Sequence, residues 1–92
     1  MSLYLMFGKY TQESIKGISA ERSKKAAQVI GNSGGEIKAG YALLGETDLV
    51  LVTDFPNSEV AMKASVVLSK MTGIAFATSP AVSIEEFDNL VG

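Results

Sequence analysis

Five side chains have the types that hold or act on a small polar ligand. Lys9 and Tyr10 close a first apolar run, Lys38 and Tyr41 lie in a second, and Asp48 ends the tetrad Gly45-Glu46-Thr47-Asp48. Ammonium groups and phenols are hydrogen-bond donors. If the runs that carry them neighbour each other, or meet across a two-fold pair, they form an anion pocket. Asp48 beside the Thr47 hydroxyl presents a carboxylate that binds a ligand or takes a proton as a general base. Each residue also has a plainer reading. Tyrosine rings pack with their hydroxyls at a rim, lysine stems snorkel along apolar surface, and Gly and Asp build tight turns.

Other clusters point away from chemistry. Arg22, Lys24 and Lys25 suit phosphate contact, or simply the wet side of an amphipathic helix. Glu85, Glu86 and Asp88 suit acid–base work or a hard cation, but Ser83-Ile84-Glu85-Glu86 is an S-x-x-E capping box, where such acids serve the helix terminus. Residues 31–35 (GNSGG) lack the Lys-Ser/Thr of a phosphate loop and follow a helix instead of opening one. The 92 residues include neither cysteine nor histidine. That removes disulfides, thiolate nucleophiles, the commonest metal ligand and the usual base near neutral pH. No metal or cofactor is expected. Eight basic residues against ten acidic give a net charge of −2, without the basic field a nucleic-acid backbone requires. No apolar run nears the ~20 residues of a membrane span, and Met1-Ser2-Leu3-Tyr4 has no signal-peptide pattern. The expected setting is a cytosol, with neither nucleic acid nor membrane as partner.

The elements that must position these residues follow from periodicity. Leu3 to Tyr10 (LYLMFGKY) is a strand, apolar at consecutive positions. Thr11 caps a short helical turn that Gly17 interrupts, and Ser19 restarts a helix to about Asn32. Its expected inner face is Ala20, Ala27 and Ile30, bordered by Ala26 and Val29, with Glu21, Arg22, Lys24, Lys25 and Gln28 in water. Gly34-Gly35 stops it. Glu36 to Leu44 alternates, with Ile37, Ala39, Tyr41 and Leu43 on one side. The turn at Gly45–Asp48 leads into Leu49–Val52 (LVLV), apolar throughout, which Thr53 and Asp54 finish. Pro56-Asn57-Ser58 opens the clearest helix, with Val60, Ala61, Ala64, Val67, Leu68 and Met71 at helical spacing, ended by Thr72-Gly73. Ile74–Thr78 is a last strand closed by Ser79-Pro80, and a short C-terminal helix is expected to fold back onto the domain.

The order β-α-β-β-α-β is the ferredoxin-like plan, so an α+β sandwich is expected over residues 1–92: a four-stranded antiparallel sheet with two helices on one face, plus the short terminal helix. Two helices cover only one face of such a sheet. A strand with a wet face alternates apolar and polar residues, yet residues 3–7 and 49–52 do not. A contiguous exposed apolar patch marks an interface, so the expected partner is a second copy, sheet against sheet. The alternative is that the C-terminal segment covers part of that face.

Gly34-Gly35, Leu44-Gly45-Glu46-Thr47-Asp48, Pro56, Gly73, Thr78 and Glu86-Phe87 together resemble the GYD family of small proteins, over nearly the whole chain. The family's naming motif is Gly, a variable residue, Tyr and Asp; here threonine, Thr47, stands in the tyrosine's place. The resemblance implies a plan like that of dimeric α/β-barrel proteins, in which two ferredoxin-like sheets pack together, and a homodimer or larger assembly.

Three functions compete. The expected one is a homo-oligomeric small-molecule-binding or regulatory module without catalytic machinery, with Lys9, Tyr10, Lys38, Tyr41 and Asp48 as its ligand-binding residues. The alternative is a cofactor-independent enzyme, monooxygenase- or isomerase-like by analogy of fold, working between sheet and helices through Asp48, Tyr41 or Lys38. RNA binding in the manner of an RRM is set aside, because the third strand, residues 48–54 (DLVLVTD), carries two acids and no aromatic residue.

Overall fold

The computed structural model describes residues 1–92. The chain runs β1 (Ser2–Lys9), α1 (Gln12–Lys16), α2 (Ala20–Asn32), β2 (Glu36–Ala42), β3 (Leu49–Phe55), α3 (Ser58–Thr72), β4 (Ala75–Ala81) and α4 (Ile84–Val91). The four strands form one antiparallel sheet in the order β2-β3-β1-β4. This is the ferredoxin-like order, with the two apolar strands central and the shorter-patterned ones at the edges.

Local chemistry sets the ends of the helices. Thr11 and Ser14 form a reciprocal capping box at α1. Ser19, Asn57 and Ser83 each accept an amide of the first turn of α2, α3 and α4. Gly73, at φ 75°, ends α3 in the left-handed conformation that glycine reaches freely. Gly35 answers a different need. A Cβ there would lie 2.6 Å from the Phe55 ring and 2.8 Å from the Asp54 carbonyl oxygen, so only glycine lets the α2–β2 connection pass so close to β3. Pro80 lies inside β4, which extends the strand beyond the stop expected at Ser79-Pro80. An edge strand tolerates the missing donor.

Three expectations are corrected. Lys38 is a bulge: Ile37 pairs with Thr53, but Ala39 pairs with Val52. One extra residue reverses the pleat, so Ile37 shares a face with Thr53 while Ala39 and Tyr41 lie on the other. The inner stripe of α2 is Arg22, Ala26, Val29 and Ile30, all half or fully buried, whereas Ala20 and Ala27 are exposed. Ile30 anchors that stripe, and spacings of four and eight bring Ala26 and Arg22 beneath the same face. Finally, α4 does not fold back: every residue from Ile84 to Val91 is exposed. The longest dimension of the molecule is 46 Å, and its radius of gyration is 13.6 Å against roughly 12 Å for a compact chain of this length.

The core lies between α2, α3 and one sheet face, and comprises Tyr4, Met6, Ile30, Phe55, Ala61, Ala64 and Leu68. Tyr4 and Phe55 meet edge to face at 5.8 Å. The Tyr4 hydroxyl shares a 3.1 Å hydrogen bond with Ser58 Oγ, and Thr53 Oγ1 donates to the Tyr4 carbonyl at 2.9 Å. No helix is long and apolar enough to cross a membrane.

Candidate functional site

The helix-facing side of the sheet empties from one end to the other. Strand register gives three rows: Ile37, Thr53, Tyr4 and Pro80; then Gly40, Leu51, Met6 and Thr78; then Ala42, Leu49, Gly8 and Phe76. The first row holds the buried Tyr4 against Phe55 and α3. On the β2 side the last two rows hold only Gly40 and Ala42, and α2 opposes them with Ser23 and Ala26, whereas the space over Gly8 is filled, a Cβ there falling 2.5 Å from Leu49 Cδ2. Small residues on both sides cannot fill a layer set by the larger ones at the Tyr4 end. The result is a cavity of about 330 Å³ under α2 and α3, lined mostly by apolar side chains such as Ile37, Leu49, Leu51, Leu68, Ile74 and Phe76. That volume lies at the lower end of small-molecule pockets.

The polar residues along it are Tyr10, Arg22, Ser23, Tyr41 and Thr72, of which Tyr41 borders it from β2 with its register on the opposite sheet face. Thr72 is already engaged, donating to the Leu68 carbonyl at 2.7 Å and accepting the Ile74 amide at 3.1 Å. Ser23 donates to the Ser19 carbonyl at 3.3 Å. Arg22 differs. Its Nη1 donates to the Ser14 carbonyl at 2.6 Å, and none of the chain's ion pairs includes it. Arg22 is half-buried and lines the cavity, with its guanidinium held beside the end of α1.

The structure brings part of the expected set together. The Asp48 carboxylate accepts the Tyr10 amide at 2.7 Å. The Asp48 amide donates to the Gly8 carbonyl, and the Asp48 carbonyl accepts the Leu43 amide, each at 2.8 Å. Lys9 Nζ reaches the Glu46 carbonyl at 3.4 Å. Lys9, Tyr10 and Asp48 thus meet where β1 ends against the β2–β3 loop, and Tyr10 and Tyr41 both line the cavity. Tyr41 pairs with Val50 and is 62% exposed. Lys38 stands elsewhere, bridging Asp54 at 3.5 Å and Glu36 at 3.8 Å. The level of Asp54 on β3 is roughly 17 Å along the strand from that of Leu49. β1 and β2 are not neighbours, since β3 separates them.

Arg22 is the lining residue the sequence reading misses, because it falls among Lys24 and Lys25 and looks like part of a solvated charge cluster. The signal was its spacing of four and eight from Ala26 and Ile30. Lys25 does belong in water, 3.7 Å from Glu21.

The opposite sheet face is uncovered. Its rows are Glu36, Asp54, Leu3 and Ala81; Ala39, Val52, Leu5 and Ser79; Tyr41, Val50, Phe7 and Ala77. Leu3, Leu5, Phe7, Val50 and Val52 are only half-buried. α4 adds a second unpartnered apolar surface in Ile84, Phe87, Leu90 and Val91.

Comparison with known proteins follows this geometry. No curated protein matches the chain in sequence. Among solved structures, the leucine response regulatory protein LrpA of Mycobacterium tuberculosis superposes with a TM-score of 0.59 at 7% identity. The match covers 89% of this chain and 51% of that one, so this chain spans about half the length of the regulator. At that identity the likeness is one of fold. The family model of the GYD domain matches residues 4–91, and the chain belongs to the GYD domain family.

Proposed function

We propose that this protein is a homo-oligomeric module that binds a small molecule and serves a regulatory role, with its sheets paired face to face and a ligand held beneath α2 and α3. The observation that carries the reading is that one thin sheet has an apolar cavity on one side and a bare apolar face on the other. A ligand that reshapes the first is one β-layer away from a contact formed by the second.

The occupant of the bare face is a second copy. The face has an apolar centre and, at one edge, both signs of charge in Lys38, Glu36 and Asp54, which suits a patch that must meet itself across a two-fold axis. One strand of eight residues and three of seven give a footprint of roughly 19 × 23 Å, about 440 Å², whereas stable interfaces bury roughly 800 Å² per partner. The apolar stripe of α4, projecting from the same chain, supplies further area if it reaches across to the partner. That the ferredoxin-like fold also serves a leucine response regulatory protein makes the role compatible with the architecture.

Among the five expected ligand-binding residues, Tyr10 takes a ligand contact in this reading, while Tyr41, whose register sets it on the pairing face, only borders the cavity from β2. Lys9 and Asp48 hold the loop at the cavity's end, and Lys38 belongs to the pairing face. The cavity itself favours a second reading, a cofactor-independent enzyme working in the same pocket.

Sedimentation velocity across micromolar concentrations tests the pairing. The wild-type chain is expected to sediment as a dimer or larger, and Leu5→Lys or Val52→Lys as a monomer of unchanged circular dichroism. A wild-type monomer at tens of micromolar would remove the reading.

A further inference from the structure

We propose that the cavity beneath α2 and α3 takes a small apolar carboxylic acid as its monoanion, with Arg22 as the counter-ion. The inference deepens the small-molecule reading above and rests on it.

A guanidinium carries five N–H donors in a planar fork, and in this chain one is used, on the Ser14 carbonyl. A plain structural role would end there, with Arg22 closing off the last turn of α1. That role does not need the residue where it is. Arg22 shares the inward stripe with Ala26 and Ile30, and it lines the cavity. Half-burying a cation without an anion is costly unless something else completes its shell. The chain supplies no carboxylate to it, although it has ten. The nearby acid on α2, Glu21, pairs with Lys25 instead.

The rest of the pocket describes the remainder of the ligand. The walls are Leu49, Leu51, Leu68 and Phe76, and two of the polar groups, Thr72 and Ser23, are already satisfied within the chain. A strongly polar or multiply charged ligand would leave its groups unpaired there. One free cation matches one negative charge, and a planar fork matches a carboxylate bidentately. A phosphate ester, with close to two charges, lacks a second cation in the lining. Tyr10 lines the same pocket.

The test uses defined probes. Octanoate and 3-phenylpropanoate are titrated into the wild-type protein alongside the matched neutral amides, octanamide and 3-phenylpropanamide, by calorimetry and by amide chemical-shift mapping. The acids are expected to bind with submillimolar Kd, at least tenfold tighter than the amides, and to shift resonances around Arg22, Ala26 and Leu51. Arg22→Gln is expected to erase the preference for acid over amide while the amides still bind. Should Arg22→Gln fail to fold, Ala26→Phe keeps the guanidinium and fills the cavity, and it is expected to abolish binding of both classes. Amides that bind as tightly as acids would overturn the carboxylate inference and leave the small-molecule pocket standing. No binding of any probe at millimolar concentration would overturn both, as would acid binding unchanged in Ala26→Phe.

Discussion

Asp48 fastens the loop between β2 and β3 to the end of β1, because its carboxylate holds the Tyr10 amide while its own amide holds the Gly8 carbonyl. A hydrogen bond to a charged acceptor contributes about 1.5–3 kcal/mol. Asp48→Ala is therefore expected to lower the urea midpoint by an amount equivalent to about 1.5–3 kcal/mol at unchanged slope. Asp48→Asn keeps a carbonyl oxygen in place and is expected to lose about half of that. Equal stability in all three proteins would show that the bond is replaced by water. The same pair of variants separates the two functional readings, since an enzyme that used Asp48 as a base would lose turnover in Asp48→Asn with the fold intact. The identity of Asp48 as a turn residue was legible in Gly45-Glu46-Thr47-Asp48. Its partner was not, because Tyr10 lies 38 residues away and only the antiparallel pairing of β1 with β3 brings the two together.

The elements themselves were legible wherever a local physical cause sets them. Thr11, Ser19, Asn57 and Ser83 announce the four helices, and Gly17 and Gly73 stop two of them, from their own chemistry. The bulge at Lys38 was not legible. Residues 36–42 (EIKAGYA) alternate well enough for an unbroken strand, and the slip appears only against β3, where Lys38 turns out to its salt bridges with Asp54 and Glu36. The site suffered from the same limit. Gly40 and Ala42 are small residues with no signal of their own in sequence, and they border a cavity only because register sets them at one end of one face. α4 illustrates a different gap: its cap and apolar stripe were readable, but nothing within the chain covers the stripe. Because none of its residues is buried within the chain, Phe87→Ser with Leu90→Ser is expected to leave the secondary structure of the monomer unaltered. It is also expected to weaken self-association at least tenfold by analytical ultracentrifugation. If instead the double variant unfolds the chain without altering its association, α4 packs on its own domain in solution.

At the scale of the whole molecule, the proposed pairing predicts that the stability of the chain depends on its concentration. The core is built on seven side chains, while the layer between β2 and α2 holds a cavity and the outer sheet face is uncovered. A chain of this size buries only some 60% of its unfolded surface, so covering Leu3, Leu5, Phe7, Val50 and Val52 by a partner adds stability that the isolated domain lacks. When unfolding is coupled to dissociation, mass action makes the midpoint depend on concentration. Two copies of the 92-residue chain, at about 2.1 cal/mol/K per residue, unfold with an entropy of roughly 0.4 kcal/mol/K. Each tenfold rise in concentration, equivalent to about 1.4 kcal/mol, is then expected to raise Tm by about 3–4 °C. Scanning calorimetry from about 5 to 500 µM spans two such steps and is expected to move the transition by about 7 °C, with the dependence lost in Leu5→Lys. A midpoint that stays fixed over that range would mean that the single chain is the folding unit, and that the apolar face of β1 and β3 is held for a partner other than itself. A ligand in the cavity is expected to raise Tm in both the wild-type and Leu5→Lys proteins, because Arg22, Ala26 and the emptied rows of the sheet all belong to one chain.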